Sequence, residues 1–153
     1  MRGFEKISFE EFKKSVKDDR KLYDEYKLPK RGTKSAGGYD FFLLEDLTIK
    51  PGEIKIVPTG IKSYFMPDEV LLLLVRSKTG FKYNIRLCNQ VGLIDADYYN
   101  NEDNEGQIFY AIQNEGKEER TFKKGEALIQ GMFIKYLTAD NETDDFEKRK
   151  STY

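Results

Sequence analysis

Between residues 40 and 134, short apolar runs alternate with residues that are typical of turns. Proline and glycine lie between the runs, because both residues favour turns and weaken the interior of a strand. Strands are predicted where the runs occur, at residues 41–44, 54–57, 61–65, 70–75, 107–113 and 127–136. Many short strands at this spacing predict an all-β fold of the sandwich, jelly-roll or barrel type.

A different periodicity precedes these strands. Phe9, Phe12 and Val16 recur at the spacing of one face of a helix, and charged residues cover the other face. The pattern predicts a single amphipathic helix over residues 8–26 that packs on the β domain.

Local signals mark the two ends of this predicted helix. Ser8 is the expected N-cap, and Glu11 is the acid that would complete a capping box by bonding back to the amide of Ser8. Pro29 ends the element, since proline disfavours helical geometry in the residue before it. Residues 1–28 are thus expected to form a helical extension of a β domain at residues 29–136.

The last segment, residues 137–153, is dominated by polar and charged residues. Leu137 and Phe146 are its only large apolar side chains other than tyrosine. A segment with so little apolar surface is expected to be a mobile tail, because it cannot bury enough of itself to offset the entropy of ordering.

The 153 residues are enough for one domain with a sizeable core. The 26 basic and 27 acidic side chains give a formal net charge of −1, which argues against nucleic-acid binding through bulk electrostatics. The N-terminus is charged and lacks the apolar region of a signal peptide, and no apolar run approaches the roughly 20 residues of a membrane span. A soluble, cytoplasmic protein that binds neither nucleic acid nor membrane is expected.

Two residue types limit the chemistry. The chain has no histidine, which excludes a Ser-His-Asp or Cys-His nucleophilic site. Cys88 is the single cysteine, so neither an internal disulfide nor a cysteine–histidine zinc site of the deaminase type can form. Because Cys88 lies in an apolar run, a buried structural thiol is predicted there.

Residues 89–98 are predicted to form an apolar strand that ends in two carboxylates and an aromatic ring. Gly92 permits a tight turn or a close backbone approach, and the apolar residues around it would anchor the segment in a core. Asp95 and Asp97 cannot both be buried cheaply, so at least one is expected to face a polar pocket, as a general base or a metal ligand. An acidic turn without a function is the alternative that these residues alone leave open.

Residues 89–98 resemble the third motif of the trimeric dUTPases, the deoxyuridine triphosphate pyrophosphatases, whose pattern runs N-x-V-G-x-I-D-x-D-Y. The family's second motif, an Arg-Ser followed by small residues, is similar to the sequence at residues 75–80. The spacings from Arg76 to Asn89 and to Asp95 match those of the family. The chain is therefore identified as resembling a dUTPase.

Two further motifs extend the resemblance. Ser-Ala-Gly at residues 35–37, followed by Asp40, resembles the first motif, with Gly38 as an additional glycine. Residues 124–131 are similar to the fourth motif, a Gly-acid turn followed by a strand that carries Gln130. The resemblance implies that Gln130 contacts phosphate.

The resemblance implies a jelly-roll or distorted β-barrel that hydrolyses dUTP to dUMP and pyrophosphate by attack of water on the α-phosphate. Asp95 would be the general base that deprotonates the water. Mg²⁺ is the implied cofactor, held mainly by the triphosphate, with Asp40 acting on it through water. A homotrimer with active sites between subunits is the implied assembly. The implied substrate-binding residues are Arg76, Ser77, Lys78, Asn89, Gly92, Leu93, Ile94, Tyr98 and Gln130.

Each implied role agrees with the chemistry of the side chain. Arg76 would clamp phosphate with its planar fork of donors, with help from Ser77 and the amide of Lys78. Residues 89–95 would recognise uracil, partly through main-chain groups. Tyr98 would stack under the sugar at a point where a 2′-hydroxyl would collide with it.

Two segments depart from the family pattern. Residues 99–105 insert a polar stretch before Gly106, and a solvated loop is expected there in preference to a metal site. Residues 148–152 keep basic residues and a Ser-Thr but lack the glycine-rich, Phe-containing loop of the fifth motif. Two alternatives remain open: an enzyme of the dCTP deaminase branch, which shares the fold, and a non-catalytic homologue that binds nucleotide or a partner.

Overall fold

The computed structural model describes residues 1–150, and within them the chain forms eleven strands, three α-helices and one 3₁₀ turn. The strands are β1 (Gly3–Lys6), β2 (Tyr39–Phe42), β3 (Leu47–Ile49), β4 (Ile54–Pro58), β5 (Ile61–Tyr64), β6 (Glu69–Val75), β7 (Ile85–Leu87), β8 (Gly92–Ile94), β9 (Phe109–Asn114), β10 (Arg120–Phe122) and β11 (Ala127–Lys135). The helices are α1 (Phe9–Ser15), α2 (Arg20–Glu25) and α3 (Ser77–Phe81), and the 3₁₀ turn is Ala96–Tyr98. The all-β prediction is confirmed.

In the described part of the chain, antiparallel pairing joins these strands into two larger sheets and two strand pairs. The four-stranded sheet has the order β2-β11-β6-β8, and the three-stranded sheet has the order β4-β9-β7. The two pairs are β1-β5 and β3-β10. Neighbouring strands are mostly distant in sequence, which is typical of the jelly-roll-like folds that the resemblance implies.

Strand β11 lies inside the four-stranded sheet and fixes the register of its neighbours. Gln130 on β11 lies opposite Asp40 on β2 and opposite Leu74 on β6. Ile129, the residue before Gln130, is fully buried, so Gln130 points away from the core. The outer face of this sheet therefore carries Asp40 and Gln130 side by side.

Side chains from both sheets and from the N-terminal helices fill one core. Leu71 and Leu73 of β6 are at most 2% exposed, while the residues that alternate with them are more exposed, as expected for a strand with one face in the core. Phe12 of α1 and Leu22 of α2 belong to the same buried cluster. The N-terminal segment thus contributes to the core of the β domain and does not form a separate unit.

The prediction of a single helix over residues 8–26 is wrong. α1 ends at Ser15, and α2 begins after Asp19, whose side chain accepts a hydrogen bond from the amide of Leu22. Aspartate favours such caps because its short carboxylate bonds to nearby amides and competes with continuation of the helix. None of the helices in residues 1–150 has the length or the apolarity that crossing a membrane requires.

The N-terminal cap of α1 is completed by a residue distant in sequence. Ser8 Oγ accepts from the amide of Glu11 at 3.1 Å, as predicted. The return bond differs, because the amide of Ser8 donates to Oε1 of Glu105 at 3.0 Å while the carboxylate of Glu11 pairs with Lys14. The capping-box role predicted for Glu11 is wrong, since Glu105 supplies the carboxylate at that place.

The longer predicted strands correspond to β4, β5, β6, β9 and β11. The strands that lack a predicted counterpart are β1 and the three-residue strands β3, β7 and β10. Such short strands do not show enough of the period-2 alternation to be recognised. Strand β8 is equally short, so most of residues 89–98 lies in turns and not in the strand predicted there.

Cys88 is exposed, so the prediction of a buried thiol is wrong. It directly follows β7, where Leu87 is 3% exposed and points into the core. Successive side chains point to opposite faces of a strand, so the next residue points outward. The apolar residues around Cys88 in sequence therefore do not bury its side chain.

The insertion at residues 99–105 is only partly solvated. Glu102 and Asp103 at its tip are exposed, but Asn104 is only 7% exposed. The expectation of a solvated loop is wrong for this second half, because its polar groups bond to the rest of the molecule.

Candidate active site

A mainly apolar cavity of about 320 Å³ lies beside β8. It brings together Asn89, Gly92, Leu93 and Ile94, which are the residues expected to recognise uracil. The other residues that line it are Ile56, Leu73, Leu87, Cys88, Phe109, Tyr110 and Ala111. A concave, mostly apolar space with a few polar groups at its edge is the usual form of a small-molecule site.

Gly92 is required by the packing behind this cavity. It pairs with Leu73 on β6, and a Cβ built on Gly92 would lie 2.9 Å from the Cβ of Leu73. Since real Cβ atoms do not approach so closely, a larger residue would push β8 away from β6. The glycine therefore permits the close backbone approach that its lack of a side chain predicts.

Sequence reasoning assigns no site role to Ile56, Phe109 or Ala111, which complete the cavity. They belong to strand runs and carry no reactive group, so no local pattern separates them from core residues. Ile56 is 72% exposed, and an apolar strand residue with that exposure can be recognised only in three dimensions.

Asp95 and Asp97 follow β8 at the polar end of this segment. Their side chains are 47% and 68% exposed, so neither carboxylate is buried. Asp95 precedes the 3₁₀ turn but makes no side-chain cap bond to it. Its carboxylate is not used to hold the turn, and it can serve as a general base or bind a cation.

Arg149 of the C-terminal segment makes ion pairs with both carboxylates. Its Nη2 donates to Oδ2 of Asp95, and its Nε donates to Oδ1 of Asp97. Burial lowers the pKa of the Arg149 guanidinium, but the hydrogen bonds to Asp97 and Asp95 outweigh it, so that pKa is raised. The segment expected to be a mobile tail thus contacts the predicted general base.

A second ion pair lies close by along the tail. Lys148 Nζ lies 2.9 Å from Oε1 of Glu102, at the tip of the insertion. Ser151 and Thr152, the expected remnant of the family's fifth motif, lie outside the described residues.

Tyr98 is a core residue. It is 3% exposed, and its hydroxyl donates to the carbonyl of Gln107 and accepts from the side-chain amide of Asn104. Because the hydroxyl is engaged on both sides, any contact between Tyr98 and a sugar would use the ring.

A second cavity, of about 240 Å³, contains residues expected to bind or organise phosphate. Asp40, Arg76 and Lys78 line it together with Phe42, Thr79, Tyr83, Phe122, Gly125, Glu126, Ala127 and Leu128. Ser77 is exposed but does not line this cavity.

Two contacts orient Arg76 at the second cavity. Its Nε lies 3.2 Å from Oδ1 of Asp40, and its Nη1 donates to the carbonyl of Ala127 at 3.1 Å. The side chain is still 42% exposed, so part of its fork of donors faces solvent. Asp40, expected beside the metal, therefore directly contacts the arginine expected to bind phosphate.

Helix α3 begins immediately after Arg76. Ser77 and Lys78 lie in its first turn, where amide groups have no acceptor within the helix. Thr79 is 2% exposed and donates from Oγ1 to the carbonyl of Leu128 at 2.8 Å, which fastens this turn to β11.

Gln130 and Gly38 pack against each other. A Cβ on Gly38 would collide with the side chain of Gln130, so glycine leaves room for Gln130 in the position that it occupies here. The Gln130 amide Nε2 lies 3.4 Å from the carbonyl of Val75, at the end of β6. The contact with Gln130 of the fourth motif therefore explains the additional glycine, Gly38, in the first motif.

Within residues 1–150, no group of three acidic, cysteine or histidine side chains is placed to hold a metal ion. Asp40 and Asp95 are each paired with an arginine. Such a donor set fits an ion held mainly by phosphate oxygens and water, because Mg²⁺ commonly takes only one or two carboxylates from a protein.

The two cavities have no lining residue in common. The residues expected to bind the base line the first cavity, and Asp40, Arg76 and Lys78 line the second. Residues 24–153 match the family model for dUTPases, which is more than half of the chain. The chain belongs to the dUTPase family. The matched region includes both cavities of the dUTPase fold, as well as Arg149.

Individual dUTPases support the same assignment. The deoxyuridine 5′-triphosphate nucleotidohydrolase of Lactococcus lactis subsp. lactis (strain IL1403) is 44% identical over 125 residues, covering 82% of this chain and 83% of the relative. The crystal structure of the dUTPase from Streptococcus mutans has 40% identity and a TM-score of 0.73, covering 91% of this chain and 99% of that one. The resemblance read from the motifs is confirmed, and the deaminase branch is not favoured.

More distant dUTPases share the fold. The dUTPase from phage phi11 of S. aureus has 18% identity and a TM-score of 0.71, covering 97% of this chain and 99% of that one. Another structure of that phage enzyme concerns the coordination of a structural Mg(II) ion.

Proposed function

We propose that this chain hydrolyses dUTP to dUMP and pyrophosphate, with Asp95 as the general base. Membership of the dUTPase family supports the reaction. The observation that carries the residue assignment is the position of Asp95, directly after the strand that lines the apolar cavity. A uracil in that cavity would bond to main-chain groups near Asn89 and direct its sugar and phosphates toward the carboxylate.

The reaction requires one bond to form and one to break. A water oxygen bonds to the α-phosphorus, and the bond from that phosphorus to the oxygen bridging to the β-phosphate breaks. Pyrophosphate leaves with the bridging oxygen, and Asp95 takes the proton of the water. The exposure of Asp95 and its lack of a cap bond would leave its carboxylate accessible for this step once Arg149 has released it.

Residues in the second cavity and next to it would supply the groups that bind the triphosphate. Arg76 would bind phosphate oxygens with the part of its guanidinium that faces solvent, while Asp40 holds it in place. Ser77, the amide of Lys78 and the side chain of Gln130 would add donors. Mg²⁺ bound to the triphosphate would neutralise charge that develops on the phosphate oxygens.

We infer that the chain acts as a homotrimer in which the site lies between subunits. The first support is the separation of the base-side and phosphate-side residues into cavities with no shared residue. The second is an exposed apolar face on the three-stranded sheet, where Ile54 and Ile56 are 54% and 72% exposed. Leu93, beside the first cavity, is 62% exposed. An apolar surface of this kind marks a contact with another protein surface.

Arg149 would compete with the attacking water for the carboxylate of Asp95. While its Nη2 donates to Oδ2 of Asp95, that oxygen is not available to the attacking water. The triphosphate offers the guanidinium an alternative set of acceptors. Arg149 would therefore leave Asp95 when the nucleotide binds.

One assay tests the proposed reaction. Purified chain is incubated with dUTP or dCTP, in Mg²⁺ or in EDTA, and dUMP, pyrophosphate and ammonia are measured. The expected result is dUMP and pyrophosphate from dUTP, in amounts that fall sharply in EDTA. Ammonia from dCTP would replace the proposal by deamination, and no turnover of either nucleotide would leave a non-catalytic binding protein.

A further inference from the structure

Buried hydrogen bonds hold the hydroxyl of Tyr98 on two sides. Asn104 donates from Nδ2 to Tyr98 Oη at 2.9 Å, and Oη donates to the carbonyl of Gln107. Asn104 Oδ1 accepts from the amide of Gly106 at 3.0 Å, so both ends of its side-chain amide are engaged. Asn104 is 7% exposed and Gln107 is fully buried.

Two residues that follow Asn104 in sequence, Glu105 and Gln107, are fastened to the N-terminal part of the molecule. Glu105 accepts from both the amide and the hydroxyl of Ser8 and lies 3.7 Å from Lys62 Nζ. Gln107 donates from Nε2 to Ser15 Oγ at 2.8 Å, at the other end of α1. Asn104 is thus held in place by bonds that the insertion and its flank make with α1 and β5.

This arrangement gives the tyrosine ring one position. A buried hydroxyl without a partner is costly, so the ring stays where Asn104 and Gln107 satisfy its oxygen. Discrimination against a single 2′-hydroxyl depends on a collision, and a collision is effective only if the ring cannot shift by a fraction of an ångström. The residue that fixes the ring therefore affects the sugar preference.

We propose that Asn104 is a positioning residue that sets the preference for deoxyribose over ribose by holding the ring of Tyr98. The inference rests on the proposed function and on the role that the family resemblance implies for Tyr98, whose ring would lie against the sugar. It assigns a role to the insertion at residues 99–105, which the family pattern does not explain. The insertion acts through Tyr98 and does not itself touch the nucleotide.

The test is the ratio of kcat/KM for dUTP to kcat/KM for UTP. Asn104→Leu keeps the approximate size of the side chain but removes the amide that donates to Tyr98. The ratio is expected to fall at least about tenfold, because a ring that can move tolerates the extra hydroxyl. Tyr98→Phe removes this hydrogen bond together with the one to the carbonyl of Gln107, so it is expected to lower the ratio by at least the same factor.

The double variant Asn104→Leu/Tyr98→Phe shows whether Asn104 acts through the hydroxyl. The ratio in the double variant is expected to equal that of Tyr98→Phe, because Tyr98→Phe already lacks the contact with Asn104. If the effects of the two single changes on the ratio multiply in the double variant, the inference is overturned. If Asn104→Leu does not fold, Tyr98→Phe alone decides, and an unchanged ratio in that variant overturns the inference.

Asp103→Ala is the matched control, since Asp103 lies next to Asn104 and is exposed. It should leave the ratio unchanged. Thermal unfolding of each variant separates positioning from stability. A lower Tm for Asn104→Leu with an unchanged ratio would show a merely structural residue and overturn the inference.

Calorimetry with dUMP and UMP separates this inference from the proposed reaction. If the unmodified chain does not hydrolyse dUTP, the proposed reaction fails, yet its relative affinity for dUMP over UMP still tests Asn104. A loss of that preference in Asn104→Leu supports the positioning role, and a retained preference overturns it. If the unmodified chain binds dUMP and UMP equally well, it has no sugar preference for Asn104 to set, and the inference is overturned.

Discussion

Asp19 and Asp95 show how the surroundings of one residue type decide its role. Each precedes a helical turn, but Asp19 uses its side chain to cap α2 while Asp95 makes no cap bond. The carboxylate of Asp19 is therefore needed for structure, whereas that of Asp95 can be changed without loss of a cap. This difference permits a clean test of Asp95 as a base.

Asp95→Asn should lower the rate of dUTP hydrolysis by about 10²–10⁴-fold. Its affinity for a non-hydrolysable analogue should change little. The amide keeps the shape of the carboxylate but cannot take the proton of the water. Single-turnover hydrolysis measures the first effect, and calorimetry measures the second. Asp97→Asn is the control, because Asp97 also pairs with Arg149 but is more exposed. A normal rate in Asp95→Asn would show that Asp95 is not the base.

Arg76→Lys should lower kcat/KM for dUTP at least about tenfold, which corresponds to about 1.4 kcal/mol of transition-state stabilisation. Lysine keeps the charge but cannot contact Asp40, the Ala127 carbonyl and a phosphate with one planar group. Steady-state kinetics provide the measurement. Arg86→Lys should have no effect, since Arg86 is an exposed arginine whose Nε lies 2.6 Å from Glu115. Near-normal kinetics in Arg76→Lys would reduce Arg76 to a structural ion-pair residue.

At the scale of elements, the insertion and the C-terminal tail meet around the 3₁₀ turn. Glu105 joins the insertion to α1, and Lys148 joins the tail to Glu102 at the insertion's tip. The tail also reaches Asp95 through Arg149. Residues 137–153 contain no glycine, the residue that lets a lid approach a ligand and open again, so closure of this segment over the nucleotide is expected to be inefficient.

A tail of Gly-Gly-Phe-Gly-Ser-Thr placed after Arg149 should raise the single-turnover rate at least about tenfold. Closure excludes water and fixes the phosphates, and it should change the rate far more than the Kd of a non-hydrolysable analogue. The matched control is the same tail with each glycine replaced by alanine, which tests backbone freedom at constant length. Equal rates with and without the graft would show that closure comes from another element, and the adjacent 99–105 insertion would be examined first.

At the scale of the whole molecule, a single chain leaves the proposed site divided. Its base-side and phosphate-side cavities share no residue, and an apolar sheet face remains exposed. Association of identical chains would cover such a face and bring the two halves of the site together.

Ile54→Lys should convert trimers to monomers and abolish most dUTP turnover. Its charge on the outer face of the three-stranded sheet would have to be desolvated in a subunit contact, and Ile54 does not line the uracil cavity. Size-exclusion chromatography with light scattering reports the oligomeric state. Leu28→Ser removes a 43% exposed apolar side chain outside the three-stranded sheet and should leave the trimer intact. A monomeric parent chain with full activity would contradict the proposed assembly.

The sequence by itself determined the fold class, the family and several local features. Apolar runs bounded by turn residues identified the longer strands, because both signals lie within a few consecutive residues. Ser8 capped α1 as predicted, since a cap involves residues only three positions apart. The motif residues Asn89, Gly92, Leu93 and Ile94 were predicted together because they follow one another along the chain, and the structure places them around one cavity.

The tertiary structure decided which distant residues meet. Glu105 takes the place of Glu11 at Ser8, 97 residues away, and Arg149 reaches Asp95 across 54 residues. Cys88 proved exposed because the direction of its side chain depends on the register of β7 in its sheet. Local patterns fix the type of an element, but contacts between elements depend on the order in which strands pair. Here that order is not the order of the sequence.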